Sequence, residues 1–373
     1  MGEGTPGKNR KVRYAVVALG HIAQIAILPA FAAASNNSEL VALVSGDPIK
    51  LKVKSREYKV PAVYSYEQLD ECLASENVDA VFIALPNDMH REFTIRAARA
   101  KVHVLCEKPL ALTEKDCLAM IQAAQKSGVK FMTAYRLHTE ETNLRAIELI
   151  KSKKIGEPRI FNSLFSFHVT DQENIRLKKA RGGGPVYDIG TYCINAARYI
   201  FQAEPEEVSA FTASNKERRF KEVEEMASVI MRFPGERLAS FTCSFGAADS
   251  GYFEVIGTKG TLRVDPAYEY AEPLAMELTI DGKAKKQVFP KRDQFAAEIS
   301  YFSDCILKNR QPEPSGWEGL ADIRIIEAIH RSARTGKAVR LKPFTKKDRP
   351  SIRQEIRKPA SKEPRLVNVK SPH

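Results

Sequence analysis

Short apolar runs recur through the first third of the chain, and most are followed by a stretch of helical period. Residues 13–19 (RYAVVAL), 40–45 (LVALVS), 78–85 (VDAVFIAL), 101–106 (KVHVLC) and 130–134 (KFMTA) are such runs. Runs of this length, rich in Val and bounded by Gly or polar residues, predict strands buried on both faces. The stretches up to residue 31, at 88–99 and at 113–125 predict helices, the last with Thr113 as N-cap. Strand alternating with helix implies a doubly wound parallel sheet covered on both sides.

After Tyr135 the pattern changes. Alternating runs at 159–169, 207–213, 227–233, 238–245 and 252–257 predict strands, and Phe161, Phe165 and Phe167 lie on one face at strand spacing. Short links such as Phe233-Pro234-Gly235-Glu236 predict antiparallel neighbours. Helices are predicted at 140–152, 188–201, 293–308 and 316–334. The expected fold class is α/β: a doubly wound parallel domain over 12–135, then an α+β domain over 136–341 with a large, open, mostly antiparallel sheet. An open sheet needs its bare face covered, so a homodimer or homotetramer through that sheet is expected.

Charge changes this picture only at the ends. The formal net charge is +12, but 345–373 holds nine Lys or Arg against three acids and 1–13 four against one. The body between carries about +3. Segments 1–11 and 342–373 therefore read as basic, disordered tails, and nucleic acid is not an expected partner. No run approaches the roughly 20 apolar residues of a membrane span, and the N-terminus lacks the apolar core of a secretory signal. The six cysteines form no C-x-x-C pair and stand at no metal-ligand spacing with a histidine. They read as buried thiols of a reducing compartment, which implies a cytoplasmic protein without a metal.

Candidate chemistry sits at strand ends. Ala18-Leu19-Gly20-His21-Ile22-Ala23 fits G-x-G-x-x-G/A with Ala first. Gly20 would let a pyrophosphate approach the backbone, and the next helix would offer its free N–H groups to the phosphates. An acid at the end of the second strand would select NAD. Here that strand ends Ser45-Gly46-Asp47-Pro48-Ile49-Lys50. Ser45 at the acid's usual place, with Lys50 in reach of a 2′-phosphate, favours NADP, while Asp47 argues for NAD. Glu107-Lys108-Pro109 follows a buried strand, where open α/β sheets bind ligands. Gly182-Gly183-Gly184 precedes Asp188-Ile189-Gly190-Thr191-Tyr192. If Asp188 starts a helix, Tyr192 shares its face. A phenol is a poor base at neutral pH unless a cation lies beside it, and Lys108 is the candidate cation. Read as packing, the same residues are a salt-bridged strand end, a helix cap and a core Tyr.

With these motifs the chain resembles the Gfo/Idh/MocA oxidoreductases. The resemblance covers about residues 12–341 and rests on the fingerprint at Gly20, Leu85-Pro86-Asn87 with His90, Glu107-Lys108-Pro109, and Asp188-x-Gly190-x-Tyr192. Most of the family has His where this chain has Tyr192. Tyr192 with Asn195, Tyr135-Arg136-x-His138, and Ser45-Gly46 with Lys50 are similar to the glucose–fructose oxidoreductase branch. The resemblance implies a Rossmann domain and NADP held by Gly20, His21, Ile22, Ala23, Ser45, Gly46, Lys50, Leu85, Pro86, Asn87, His90, Glu107, Lys108 and Arg176. It implies a sugar held by Lys108, Tyr135, Arg136, Asp188 and Tyr192. Tyr192 would exchange the proton of the C1 hydroxyl, Lys108 would bind that hydroxyl, and Asp188 would orient the sugar. Hydride would pass from C1 of an aldose to the nicotinamide, and a second sugar could take it back from a retained cofactor. The alternatives are a cofactor-releasing NADP-dependent aldose dehydrogenase or reductase, and a non-catalytic NADP-binding redox sensor.

Overall fold

The computed structural model describes residues 10–370 apart from 76, 216 and 347. The tail reading of segment 1–11 lies mostly outside the described residues. Six strands, β1 (Val12–Val17), β2 (Ser38–Val44), β3 (Ala62–Tyr64), β4 (Ala80–Ile83), β5 (His103–Glu107) and β6 (Phe131–Ala134), form a wholly parallel sheet. Their order is β3-β2-β1-β4-β5-β6. The order reverses between β1 and β4, and the crevice above their carboxyl ends is where such sheets take ligands. Helices α1 (Leu28–Ala33), α2 (Pro48–Tyr58), α3 (Leu69–Ala74), α4 (His90–Arg99) and α5 (Glu114–Ser127) connect the strands. β4 is buried at all four positions, as its unbroken apolar sequence requires. Thr113 caps α5 by accepting from the Asp116 N–H.

The second sheet has nine strands: β7 (Pro158–Ser166), β8 (Glu207–Ala213), β9 (Met226–Phe233), β10 (Arg237–Ser244), β11 (Ser250–Gly257), β12 (Gly260–Val264), β13 (Leu274–Ile280), β14 (Lys283–Phe289) and β15 (Val339–Arg340). Their order is β14-β13-β12-β11-β7-β10-β9-β8-β15. Every pair is antiparallel except β7 with β10, which run parallel. Helices α6 (Glu141–Lys151), α7 (Thr191–Phe201) and α9 (Gly316–Thr335) pack behind this sheet, and α9 also packs on α5. Helix α8 (Gln294–Leu307) returns to the first sheet, where Phe295, Ile299 and Phe302 share a core with Val16, Phe82 and Leu105.

The composition of 342–373 predicts a disordered tail, but the described part of it, up to Lys370, lies along the body. Lys346 is 5% exposed and pairs with Glu313 and Glu318 at 2.7 and 2.5 Å. Arg349 meets Glu204 at 2.7 Å, Arg357 meets Glu141 at 2.8 Å, and Lys370 meets Asp171 at 3.3 Å. These four cations each find a counter-charge in the earlier chain.

Candidate active site

The loop after β1 turns at Ala18, whose φ is +82°, and leads into a wide π turn (Ala23–Ile27) before α1. Single π turns concentrate at functional sites. A Cβ placed on Gly20 would meet no atom within 4 Å. The backbone there faces open space at the switch point, so the loop fits a pyrophosphate. At the end of β2, Ser45 Oγ accepts from the Asp47 N–H, and a Cβ on Gly46 would stand 3.1 Å from the Tyr66 ring. The Asp47 carboxylate is occupied. It caps α2 by accepting from the Ile49 and Lys50 N–H groups and lies 3.9 Å from the Lys50 ammonium. One oxygen of this acid is spent on the helix cap, which weakens the argument for NAD.

The carboxyl end of β5 delivers Glu107 and Lys108. Lys108 Nζ donates to Asp188 Oδ1 at 3.0 Å and to the Asp188 carbonyl at 2.9 Å, and lies 4.7 Å from the centre of the Tyr192 ring. Arg176 Nε donates to Asp188 Oδ2 at 2.6 Å. Burial works to raise the Asp188 carboxyl, but Arg176 and Lys108 hold it far below the ordinary carboxylate range. Burial likewise opposes the Lys108 charge, and Asp188, Tyr192 and Glu107 together keep it firmly protonated. The Arg136 guanidinium lies 5.0 Å from the Tyr192 ring on another side. It is held by Gln294 Oε1 and by the Tyr268 carbonyl.

Asp188 is not a helix cap. It stands within a second π turn (Val186–Gly190) that runs directly into α7. This turn presents Asp188 and Tyr192 to Lys108 together. The glycines before it are fixed by close approach: a Cβ on Gly182 would fall 2.4 Å from Leu112, and one on Gly183 would fall 2.4 Å from the Arg176 carbonyl. Asn87 Nδ2 donates to the Gly182 carbonyl, and Arg181 pairs with Asp88 at 2.7 Å, which joins this loop to the first domain.

Other expected site residues take supporting places. His90 is fully buried, with its ring nitrogens 2.8 Å from the Leu85 carbonyl and 3.1 Å from that of Pro109. It braces the ends of β4 and β5 against each other, and burial lowers its proton affinity. The Tyr135 hydroxyl donates to Asp322 at 2.6 Å, so only its ring lines the small cavity that Lys108, Arg136, Tyr192 and Asn195 share. Behind that cavity lies a buried polar network. His138 meets Asn195 and Glu313, Asn195 donates to Glu318 and Asp322, and Arg198 binds Glu204 and Asp322.

Several participants escaped the sequence reading. Tyr66 packs beneath Gly46, and Gln24, fully buried beside the phosphate loop, has no motif to announce it. Glu298 is 1% exposed, and neither carboxyl oxygen has a hydrogen-bond partner among the described residues. Burial raises its carboxyl well above the ordinary range, with Glu107 adding to the effect. Glu107 is itself pushed up to about 7 by burial. A lone acid within Phe295-Ala296-Ala297-Glu298-Ile299 was the available signal for Glu298.

Comparison with known proteins identifies the family. A profile for the oxidoreductase family with an NAD-binding Rossmann fold matches residues 12–135, and one for the GFO/IDH/MocA C-terminal domain matches 143–263. The chain belongs to the GFO/IDH/MocA family of oxidoreductases. It is similar to the aldose-aldose oxidoreductase of Caulobacter crescentus, solved with glycerol, at 40% identity and a TM-score of 0.85, over 89% of this chain and 100% of that one. D-xylose 1-dehydrogenase [NADP(+)] of Haloarcula marismortui is 32% identical over 336 residues, 88% of this chain and 93% of the relative. A 3-ketoreductase of Actinomadura kijaniata, solved with NADP and TDP-benzene, shares 25% identity over 87% of this chain and 98% of its own, with a TM-score of 0.80.

Proposed function

We propose that the protein is an NADP-dependent sugar oxidoreductase that moves hydride between C1 of an aldose and the nicotinamide, with a second sugar able to take the hydride back. The observation that carries this reading is the convergence of Lys108, Asp188 and Tyr192 at the end of β5. Lys108 spends two N–H donors on Asp188, and an ammonium has three. The third can hold a substrate hydroxyl. In the reducing direction the Tyr192 hydroxyl gives its proton to the oxygen at C1, and the flanking Lys108 and Arg136 cations meet the phenolate charge left behind; oxidation of the aldose runs the same transfer in reverse. Asp188 fixes Lys108 and so aims it. NADP, when bound, supplies the hydride acceptor; Gly20 to Ala23 would hold its pyrophosphate, and Ser45, Gly46 and Lys50 its 2′-phosphate. The relatives named above act on aldoses or carry NADP, which supports the same choice.

The test is to record the absorbance of purified protein near the reduced-nicotinamide band, add glucose or xylose, then add a second sugar. The band should grow with the first and fall with the second. No response to any aldose with NADP or NAD would overturn the reading.

The outer face of the nine-stranded sheet bears Ile160, Phe211, Ile230 and Leu238, all exposed. This supports assembly through that face, to a dimer or tetramer. A monomer mass by light scattering would refute it, and Phe211→Asp should reduce the mass to that of one chain. Lys346, Arg349, Arg357 and Lys370 each face a carboxylate of the body, which speaks against nucleic acid as a partner. All six cysteines are buried and free, which suits a reducing cytoplasm. No helix among the described residues is long and apolar enough to cross a membrane.

A further inference from the structure

The C-terminal segment has two parts with different attachments. Residues 346–361 are fixed to the second domain and to α8. Gln354 Nε2 donates to the Glu313 carbonyl at 2.7 Å, the Asp293 N–H donates to the Lys358 carbonyl at 3.1 Å, and the Ser361 hydroxyl donates to Asp293. Beyond Ser361 the chain passes onto the first domain. The Arg365 carbonyl accepts from the buried Lys54 ammonium of α2. Val367 then pairs in both directions with Gln24: its N–H donates to Gln24 Oε1 at 2.8 Å, and its carbonyl accepts from Gln24 Nε2 at 2.9 Å. Asn368 Nδ2 donates to Asp47 Oδ2 at 3.2 Å. Lys370 crosses back to Asp171, in the loop after β7.

These partners mark out one opening. Gln24 stands in the π turn that follows Gly20, beside the proposed pyrophosphate loop. Asp47 stands at the end of β2, beside the proposed 2′-phosphate site. Asp171 belongs to the second domain, in the loop after β7. A segment touching all three in sequence spans the mouth through which a dinucleotide would enter. Lys362, Arg365 and Lys370 against a single Glu363 also give the segment a net positive charge, the sign that attracts a polyanion. The Asn368 amide adds to the engagement of Asp47, the one acid there that would disfavour a 2′-phosphate.

We propose that residues 362–370 are a strap over the dinucleotide cleft that holds NADP in place between successive hydride transfers. The proposal rests on the NADP reading above. Val369 and Leu366 contribute little buried apolar surface, and Leu366 is 38% exposed. A segment held mainly by polar contacts opens locally at low cost, and a ligand that it touches when closed shifts it towards the closed form. The strap thus admits the cofactor and slows its departure.

The experiment compares the full chain with one ending at Ser361, which keeps each anchoring contact from Lys346 to Ser361. Both are loaded with NADPH, and its release is followed by fluorescence after addition of excess NADP. Release should be at least tenfold faster from the shortened chain, with the KM for the aldose at saturating NADP within twofold, because the strap touches neither Lys108 nor Tyr192. The full-length Val367→Pro variant, which removes the N–H given to Gln24, should release NADPH severalfold faster, and it decides the matter if the shortened chain does not fold. Release at the full chain's rate from the tested variants would overturn the strap, as would a matching loss of aldose affinity. Failure of the full chain itself to bind NADPH in the starting titration would instead overturn the cofactor reading, and the strap with it.

Discussion

Lys108 and Tyr192 meet at a shared centre from two domains, and each can be removed without removing the other's support. Lys108→Ala takes away the cation above the phenol and leaves Asp188 with Arg176 alone. Tyr192→Phe keeps the ring against Phe165 and Tyr268 and removes only the hydroxyl. Each should lower kcat by at least a hundredfold, about 3 kcal/mol, while NADPH binding, measured by fluorescence titration, stays within a few-fold. Wild-type turnover in both would remove the catalytic assignment. Glu107 gives a test by pH. Its carboxyl, held at about 7 by burial, keeps a proton in the folded chain that the unfolded chain has released. Between pH 4.5 and 7 the folded form binds more protons, so this group makes the protein less stable as pH rises through that window, by roughly 3 kcal/mol at most. Glu107→Gln removes that slope. From pH 5 to pH 8 the urea midpoint of the wild type should fall relative to that of Glu107→Gln, and parallel changes would refute the assignment. Lys108, Asp188 and Tyr192 were legible in the sequence because each belongs to a motif at a predictable strand or helix end. Glu298, Tyr66 and Gln24 were not, because each acts through a contact made by tertiary packing.

At the scale of elements, hydropathy exposed β1, β2, β4, β5 and β6 because each is an unbroken apolar run. It read the one-sided strands β7 to β11 from their alternation and was silent where little is buried. β14 reads Lys-Ala-Lys-Lys-Gln-Val-Phe and is exposed at all but its last residue. An edge strand with lysines resists further pairing, and the same lysines hide it from a hydrophobic pattern. α2 buries only Leu51 and Lys54, so it shows no apolar stripe. Its start is set by Asp47 with Pro48 next, a capping signal rather than a hydrophobic one. Asp47→Ala should cost about 1 kcal/mol in a urea titration and leave the preference for NADP over NAD intact. A further shift towards NADP would mean that Asp47 reads the ribose after all. The helix predicted from Asp188 begins earlier, at the π turn, and no local propensity distinguishes a π turn from an α turn.

Across the whole molecule, the composition of 342–373 mimics disorder because its partners are distant in sequence. Lys346 answers Glu313 and Glu318, which lie inside the body. Burial works to raise the Glu318 carboxyl, and Arg198 and Lys346 overcome it and keep the group ionised. Removing one partner of a buried set leaves an uncompensated charge, at a cost of about 3–5 kcal/mol. Lys346→Met should therefore lower stability to urea by that order, and adding Glu318→Gln should restore part of it. A neutral Lys346→Met would show that the segment rests on the body without completing it.

The parallel pairing of β7 with β10 has a consequence for the order in which the protein is made. β7 is the middle of its sheet, yet its neighbours β10 and β11 begin at Arg237 and Ser250, some 70 to 85 residues after β7 ends at Ser166. At roughly 5–20 residues per second on a ribosome, the Phe161 and Phe165 stripe waits several seconds for its sheet partners. Helix α7 emerges first. Phe201 lies 6.4 Å from Phe161 and Tyr192 lies 5.5 Å from Phe165, ring centre to ring centre. The helix that carries the Tyr192 phenol is thus also the earliest cover for the nascent stripe, and Tyr192→Phe would keep that cover where Tyr192→Ala would strip it away.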